Sequence, residues 1–407
     1  MVRLDNMSDF KDKNILVGVT GSISIYKSCD LIRTLVKEGA NVTVVMTSNA
    51  EKFISPMTFQ SISGRKVFTN MYDTDESSLA HINLADNSDL IIVCPATANF
   101  ISKYANGIAD NLLLNILLAT KSSIVVCPAM NVNMFENPLV QENVTKLSKL
   151  GISFVEPDSG DLLCGWEGKG RLADLNKILM AIKKKVSNKD LKEEKVLITC
   201  GATREYLDPI RFISNPSSGR MGLCLANEFF YRGSNIRIIA GHVEEDFHLF
   251  PNYLQCESSD EMAQHVIKDL KNYSVIIKSA AVGDYKFKKV QKNKIKKKNA
   301  KISFEMEPTV DILEEVGTKK TKNQILIGFC AETESIINNA KIKIKKKNLD
   351  FIVANDVSKE NSGFGSKDNF SFLVSKDGKI EELGLVSKEA LSKEIANKVS
   401  EVRRGLF

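Results

Sequence analysis

Four histidines and eight cysteines are the scarce chemical resources of this 407-residue chain. Cys164 lies in Asp161-Leu-Leu-Cys-Gly-Trp-Glu-Gly-Lys-Gly-Arg171, where three glycines surround a thiol. A loop of that composition is accessible and suits a reactive thiol better than a packed one. Cys94 and Cys127 sit in apolar runs instead and read as buried, reduced core. No CxxC pair occurs, and no spacing suggests a zinc site. His81, in Leu79-Ala-His-Ile-Asn-Leu-Ala85, stands at a helix start, where a histidine taken alone is more often structural. Thr20-Gly21-Ser22-Ile23-Ser24 follows an apolar run. Glycine there admits close approach of the backbone, and a following helix offers free N–H groups to a phosphate. The pattern is not GxGxxG, so a dinucleotide is not the first choice. Two more runs end in proline and polar residues: Cys94-Pro-Ala-Thr-Ala-Asn99, and Cys127-Pro-Ala-Met-Asn-Val-Asn-Met-Phe135 with Asn131 and Met134. Turn chemistry alone would also produce them.

The second half carries a different set. The connection Thr199–Gly222 is long, and long ordered loops are usually functional. It contains Arg211 and Asn215 and closes on Ser217-Ser-Gly-Arg-Met-Gly222 before an apolar helix, again a helix N-terminus suited to phosphate. No GK[ST] follows, so it is not a Walker motif. Ser279-Ala-Ala-Val-Gly-Asp-Tyr285 and Gly328-Phe-Cys-Ala-Glu-Thr333 follow further apolar runs. Lysines crowd into Lys286–Lys301 and Lys341–Lys347. A solvated face would look the same, but both clusters flank these loops, which favours a site for phosphates. Nucleic-acid binding would predict aromatic interleaving or a known module, and neither occurs.

These loops need a scaffold that presents them together. Asn14–Val19, Asn41–Met46, Asp89–Cys94 and Ser123–Cys127 are nearly continuous apolar runs, as strands buried on both faces of a parallel sheet must be. Helical stretches such as Lys27–Glu38 and Asn137–Leu150 alternate with them. The rhythm breaks at Ile182–Glu194, which is polar and lysine-rich, and resumes with Lys195–Cys200, Ile236–Ala240, Ser274–Ile277, Gln324–Ile327 and Asp350–Ala354, with helices at Arg220–Arg232 and Ser335–Lys347. The expectation is α/β: two consecutive doubly wound Rossmann-like domains, 1–188 and 189–407. Ligands then bind beyond the carboxyl ends of the strands, where these loops lie.

Composition is that of a globular protein, 43% hydrophobic and 26% charged, with a net charge of +6. No apolar run is long enough for a bilayer, and the N-terminal MVRLDNMSDFKDK lacks the apolar core of a secretory signal, so a cytoplasmic location without membrane contact is expected. Met7 is an alternative start.

Across residues 14–175, the run GSISIYK, the piece PAMNVNMF, the CGWEGKGRL loop and AHINLAD occur in the order found in the flavin-dependent cysteine decarboxylases, and the chain resembles that family. The resemblance implies a flavodoxin-like flavoprotein fold and FMN as cofactor, with its phosphate near Gly21 and Ser22, its ring near Thr97, Ala98 and Asn99, and Thr47 as a further cofactor contact. It implies His81 as catalytic base or charge partner, Asn131 with Met134 on the substrate and its carboxylate, and Cys164 as acid on a closing lid. The implied chemistry oxidises a substrate thiol to a thioaldehyde, uses it as electron sink for loss of CO₂, and returns the hydride, with no net redox change.

Residues 194–404 resemble the phosphopantothenate–cysteine ligases through ITCGATRE, DPIRFISNPSSGRMG, AAVGDY, KIKKK, GFCAET and KKKNLDFIVAND. This implies CTP as co-substrate with Mg²⁺, an acyl-cytidylate intermediate, and displacement of CMP by the amine of cysteine. It implies Asn215 at the acyl-phosphate and Lys294 as the flap cation. Asp284, Phe329, Lys343 and Lys347 match nucleotide-binding positions, Ala280 and Ala281 match backbone donors, and Arg211 meets substrate across a dimer interface. Ala202 stands where proline is usual and Gly283 where alanine is usual. Glu-Pro-Thr-Val-Asp-Ile-Leu replaces a shorter Asn-Pro-Asp-Ile-Leu, leaving the contacts of Pro308, Asp311, Ile312 and Leu313 open. No metal ligands are assigned, and CTP against ATP is left open. Together the halves imply a bifunctional enzyme of coenzyme A biosynthesis that acts on 4′-phosphopantothenate and cysteine. By family it is a homo-oligomer, with trimeric decarboxylase and dimeric ligase parts that can close into a dodecamer. The competing classes are a non-catalytic flavoprotein, a peptidyl-cysteine decarboxylase and a basic nucleic-acid binder.

Overall fold

The structure, a computed structural model, describes residues 10–71, 80–161, 167–247, 250–296, 303–359, 363, 366 and 368–406. The chain forms two compact units that divide between Ser187 and Asn188. The polar stretch 182–194 is not a bare linker: helix Leu175–Val186 runs into it and buries Ile182, while Leu191 is buried in the second unit. Its lysines face solvent on an amphipathic helix, which hid the apolar period.

The first unit is built on strands β1 (Asn14–Val19), β2 (Asn41–Met46), β3 (Val67–Phe68), β4 (Leu90–Ala96), β5 (Ser123–Pro128) and β6 (Ser153–Phe154). They lie in the order β3-β2-β1-β4-β5-β6, with every pairing parallel. Without the two-residue edge strand β3, the remaining five run 2-1-3-4-5, the flavodoxin order. All seven residues of β4 are buried. Their alternation divides them between two cores: Leu90, Ile92 and Cys94 with Leu31 and Val44 on one face, Ile91 and Val93 with Phe100 and Leu113 on the other. Two burying faces account for an apolar run without a period.

The second unit holds β7 (Lys195–Cys200), β8 (Asn235–Ala240), β9 (Tyr253–Gln255), β10 (Val275–Lys278), β11 (Ile325–Glu332), β12 (Phe351–Asp356), β13 (Asp368–Ser375) and β14 (Ile380–Ser387). The order is β9-β8-β7-β10-β11-β12-β13-β14. It is parallel up to β12 and then antiparallel through a hairpin that the sequence reading did not anticipate. In both sheets the strand order reverses between the first strand and the fourth, β1/β4 and β7/β10, which opens a crevice at their carboxyl ends.

Candidate active sites

The first crevice is a cavity of 440 Å³ lined by Thr20, Gly21, Ser22, Thr47, Ser48, Asn49, Thr97, Ala98, Asn99, Lys103, Asn111, Met130 and Met134, among others. Local hydrogen bonds set its walls. Thr20 Oγ1 donates to Pro95 O at 2.7 Å and accepts from Thr97 N at 3.1 Å, tying the loop after β1 to the loop after β4. Ser22, Thr47 and Thr97 are the N-caps of the segments that begin at Ile23, Ser48 and Ala98, so three segment N-termini border one cavity. Gly21 is required by proximity: a Cβ there would lie 2.7 Å from Asn49 Cβ and 2.9 Å from Asn49 O. All six residues expected for the cofactor thus border one cavity. Lys103, Ser48, Asn49 and Asn111 join them unannounced, because their distance in sequence from any glycine loop carried no signal.

The residues expected to meet the substrate spread further. Met134 lines this cavity, whereas Asn131 and His81 do not. Asn131 caps helix Val132–Phe135, its Oδ1 accepting from Asn133 N at 2.8 Å. His81 begins helix Ala80–Asp86, and its Nδ1 is buried without a hydrogen-bond partner among the described residues. Cys164 lies outside the described residues. The two strands that flank its loop, Asp158–Asp161 and Glu167–Arg171, pair with each other. The second of them docks beside Asn131: Met130 N donates to Gly170 O at 2.9 Å, and a Cβ on Gly170 would fall 2.4 Å from Met130 O.

The second crevice is a cavity of 490 Å³. Asn215, the Ser217–Met221 turn, the 278–284 loop, Thr309–Leu313, Phe329, Lys343 and Lys347 line it. Gly219 adopts φ 85° and starts helix Arg220–Tyr231, whose first N–H, that of Arg220, donates to Ser218 Oγ at 3.4 Å. The helix can come this close to β7 only because Gly222 lacks a Cβ, which would meet Cys200 Cβ at 2.1 Å. Asn215 Nδ2 donates to Ala281 O at 3.4 Å and Val282 O at 3.2 Å. Asp311 caps helix Ile312–Lys319 and pairs with Lys347 at 2.6 Å, and Lys343 pairs with Glu332 at 2.5 Å. Burial opposes ionisation of Asp311, but Lys347 and Glu314 N–H hold its carboxyl below the ordinary value. Burial likewise opposes the Lys343 charge, which Glu332 raises overall.

Several expected residues have other partners within the chain. Ala280 and Ala281 border the cavity, but their N–H groups are engaged. Ala281 N–H donates to Gly201 O at 2.8 Å and Ala280 N–H to Thr199 Oγ1 at 3.4 Å, because the chain still runs beside β7 at this point. Pro308 does not border the cavity. It is exposed in strand Met306–Pro308, opposite Tyr285, and the lining begins one residue later. Arg211 and Lys294 also lie off the lining. Arg211 is held by Asp208 Oδ2 at 2.7 Å and by Ile295 O at 3.1 Å, and Asp208 Oδ2 accepts from Ile295 N at 3.1 Å. Asp208 therefore fastens the segment carrying Lys294, which is exposed, to the 207–211 turn. Burial opposes its charge, but the N–H groups of Ile210, Ile295 and Arg211 pull it down to about 2.

The sequence reading missed Lys278, the last residue of β10. It borders the cavity, and burial pushes its ammonium down to about 8 against the opposing pull of Asp311. Among the described residues no group of three metal-ligating side chains occurs, and no helix is long and apolar enough to cross a membrane.

Comparison with known proteins agrees with this division. The Flavoprotein family matches residues 4–187, and the DNA/pantothenate metabolism flavoprotein C-terminal domain matches residues 191–402. The Coenzyme A biosynthesis bifunctional protein CoaBC of Bacillus subtilis is 41% identical over 394 residues, 96% of this chain and 97% of the relative. Its namesake in Borreliella burgdorferi is 42% identical over 388 residues, 95% and 98% of the two chains. A solved C-terminal domain of such a protein is 34% identical over 54% of this chain and 100% of its own, with a TM-score of 0.46. On the near-complete coverage by these relatives, the chain belongs to the family of the bifunctional proteins of coenzyme A biosynthesis.

Proposed function

We propose that this chain joins cysteine to 4′-phosphopantothenate at the second cavity and removes the cysteine carboxylate at the first, yielding 4′-phosphopantetheine. The observation that carries the reading is the pair of crevices at the two switch points: one has converging helix N-termini around Gly21, the other a lysine-rich wall opposite Gly219.

FMN fits the first cavity. Gly21, Ser22 and Thr47 would hold its phosphate, with no room for a side chain at Gly21, and Thr97, Ala98 and Asn99 would border its ring. When bound, FMN supplies the two-electron oxidation and reduction that make the carbon beside the substrate carboxylate able to lose CO₂. Asn131 orients that carboxylate, beside Met134. His81 holds a charge or proton, and Cys164 delivers a proton to the product. Gly168 and Gly170 let the strand Glu167–Arg171 pack closely on Val132 and Met130, next to Asn131.

In the second cavity the substrate carboxylate attacks the α-phosphate of CTP, forming an acyl-cytidylate and releasing pyrophosphate. The amine of cysteine then attacks the acyl carbon and CMP departs. Lys343 and Lys347, with Lys294 from the flap, offset the phosphate charge, and Asn215 sits against the acyl-phosphate. Asp284, Asp311 and Phe329 with Ile312 and Leu313 border the nucleotide, and Arg211 reaches substrate from a dimer partner. Mg²⁺ accompanies the triphosphate. The working form is a cytoplasmic homo-oligomer, trimeric through the first unit and dimeric through the second.

The test is one reaction followed by mass spectrometry: purified protein, 4′-phosphopantothenate, cysteine, Mg²⁺ and either CTP or ATP. CTP-dependent 4′-phosphopantetheine with loss of CO₂ is expected, and Cys164→Ser should stall before the reduced product. Accumulation of 4′-phosphopantothenoylcysteine by the native chain would overturn the decarboxylase half. No product with either nucleotide would leave a binding protein.

A further inference from the structure

Four cationic side chains of the second cavity are already engaged among the described residues. Lys343 holds Glu332 at 2.5 Å, Lys347 holds Asp311 at 2.6 Å, Lys388 donates to Ser366 O at 2.6 Å, and Arg220 meets Glu389 at 3.4 Å. Lys278 differs from them. It ends β10 between β7 and β11, borders the cavity, and has no hydrogen bond or ion pair among the described residues. Each element packed around it brings charge or a titratable group. Asp284 follows on its own loop, Asp311 caps helix Ile312–Lys319, Lys343 and Lys347 come from helix Ile336–Lys346 and its C-cap, and Cys330 comes from β11. Asp311 is held by Lys347 and, like Asp284, acts on Lys278 without touching it. A partly buried ammonium without a hydrogen-bonded partner is costly unless a ligand provides one.

We propose that Lys278 is a further binding residue of this cavity, the cation that meets the phosphate oxygens of the bound nucleotide. The proposal rests on the ligase reading of the second unit. Lys343 and Lys347 meet phosphate with a carboxylate already beside each of them, whereas an unpaired lysine keeps its full interaction for an incoming oxyanion. Burial holds Lys278 at about 8, so phosphate binding draws a proton onto it in weakly alkaline solution. Affinity is then flat below that value and falls above it, because an increasing fraction of the free protein must first be protonated. Between pH 7 and pH 9 the loss is roughly ten-fold.

The experiment is calorimetric titration of the full-length protein with CTP, ATP and inorganic pyrophosphate at pH 7 and pH 9, using native chain, Lys278→Arg and Lys278→Met. The native chain is expected to lose about ten-fold in affinity for CTP and for pyrophosphate over that interval. Lys278→Arg, permanently charged, keeps its affinity at pH 7 and shows no alkaline loss. Lys278→Met binds about 10- to 100-fold more weakly at pH 7, the worth of one charge-assisted hydrogen bond, and is also flat. The proposal is overturned if Lys278→Met binds both ligands as the native chain does, or if its alkaline loss persists. Weakened CTP binding with unchanged pyrophosphate binding also overturns it, because the lysine then meets the base or ribose. If the native chain binds pyrophosphate through Lys278 but neither CTP nor ATP, the phosphate contact stands and the ligase reading fails.

Discussion

Gly317→Ala separates local propensity from tertiary packing by the sign of its effect. Gly317 is buried in helix Ile312–Lys319, whose cap is Asp311. In an isolated helix the substitution gains about 1 kcal/mol. Here the new Cβ would lie 2.0 Å from Lys347 O and 2.8 Å from Lys347 C; ordinary contact begins at 3.4 Å, so about 1.4 Å must be found. The obstacle is backbone, and it is pinned. Lys347 N donates to Lys343 O at 2.9 Å, Asn348 Nδ2 donates to Gly317 O at 2.8 Å, and Asn348 is in the left-handed region at φ 49°. Overpacking of this kind costs roughly 3 kcal/mol, the upper part of the usual range. The net expectation is a loss of about 2 kcal/mol, or a melting point about 4–8 °C lower for a unit of this size. Displacing Lys347 also loosens its 2.6 Å contact with Asp311 at the cavity, so the KM for CTP should rise with it. Scanning calorimetry of the full chain reads both effects, because the ligase transition is the one that CTP raises. A variant as stable as the native chain, or more stable, would refute the packing argument.

Three further outcomes are expected. Gly21→Ala places a Cβ 2.7 Å from Asn49 Cβ and narrows the proposed phosphate cradle, so the purified variant should carry less flavin, read by its visible absorbance, while the ligase step continues. His81→Leu removes a buried nitrogen that has no partner among the described residues; decarboxylation should fall by two orders of magnitude or more with no loss of thermal stability. Asp208, held at about 2, is a carboxylate with a depressed folded-state value. Its stabilisation is complete above the ordinary carboxylate range near ~4 and is lost as pH falls through about 2. The second unit should therefore loosen across that acid window by circular dichroism, and Asp208→Asn should flatten the dependence.

Burial of each strand by its own sheet was legible in the sequence. A strand covered on both faces reads as an unbroken apolar run, as β4 does, and the functional loops follow the carboxyl ends of such runs. Gly21, Thr97 and Asn215 stand out for this reason, and Lys347 through the lysine cluster that ends helix Ile336–Lys346. The antiparallel hairpin β13–β14 was not seen, because Asp368–Ser375 alternates buried and partly buried residues without a strong apolar run. Relations between distant segments were decided only by the tertiary structure. The N–H of Ala281 is already used because β-type pairing continues past β10 to Gly201. Gly170 matters because its strand docks on Met130. Lys278 reads in sequence as the polar end of a strand; the charges that act on it, Asp311 and Lys347, stand at the ends of remote helices. Periodicity along a chain records which side of an element is buried, but the charge and space around a residue are set by whichever remote segments register and loop closure bring beside it.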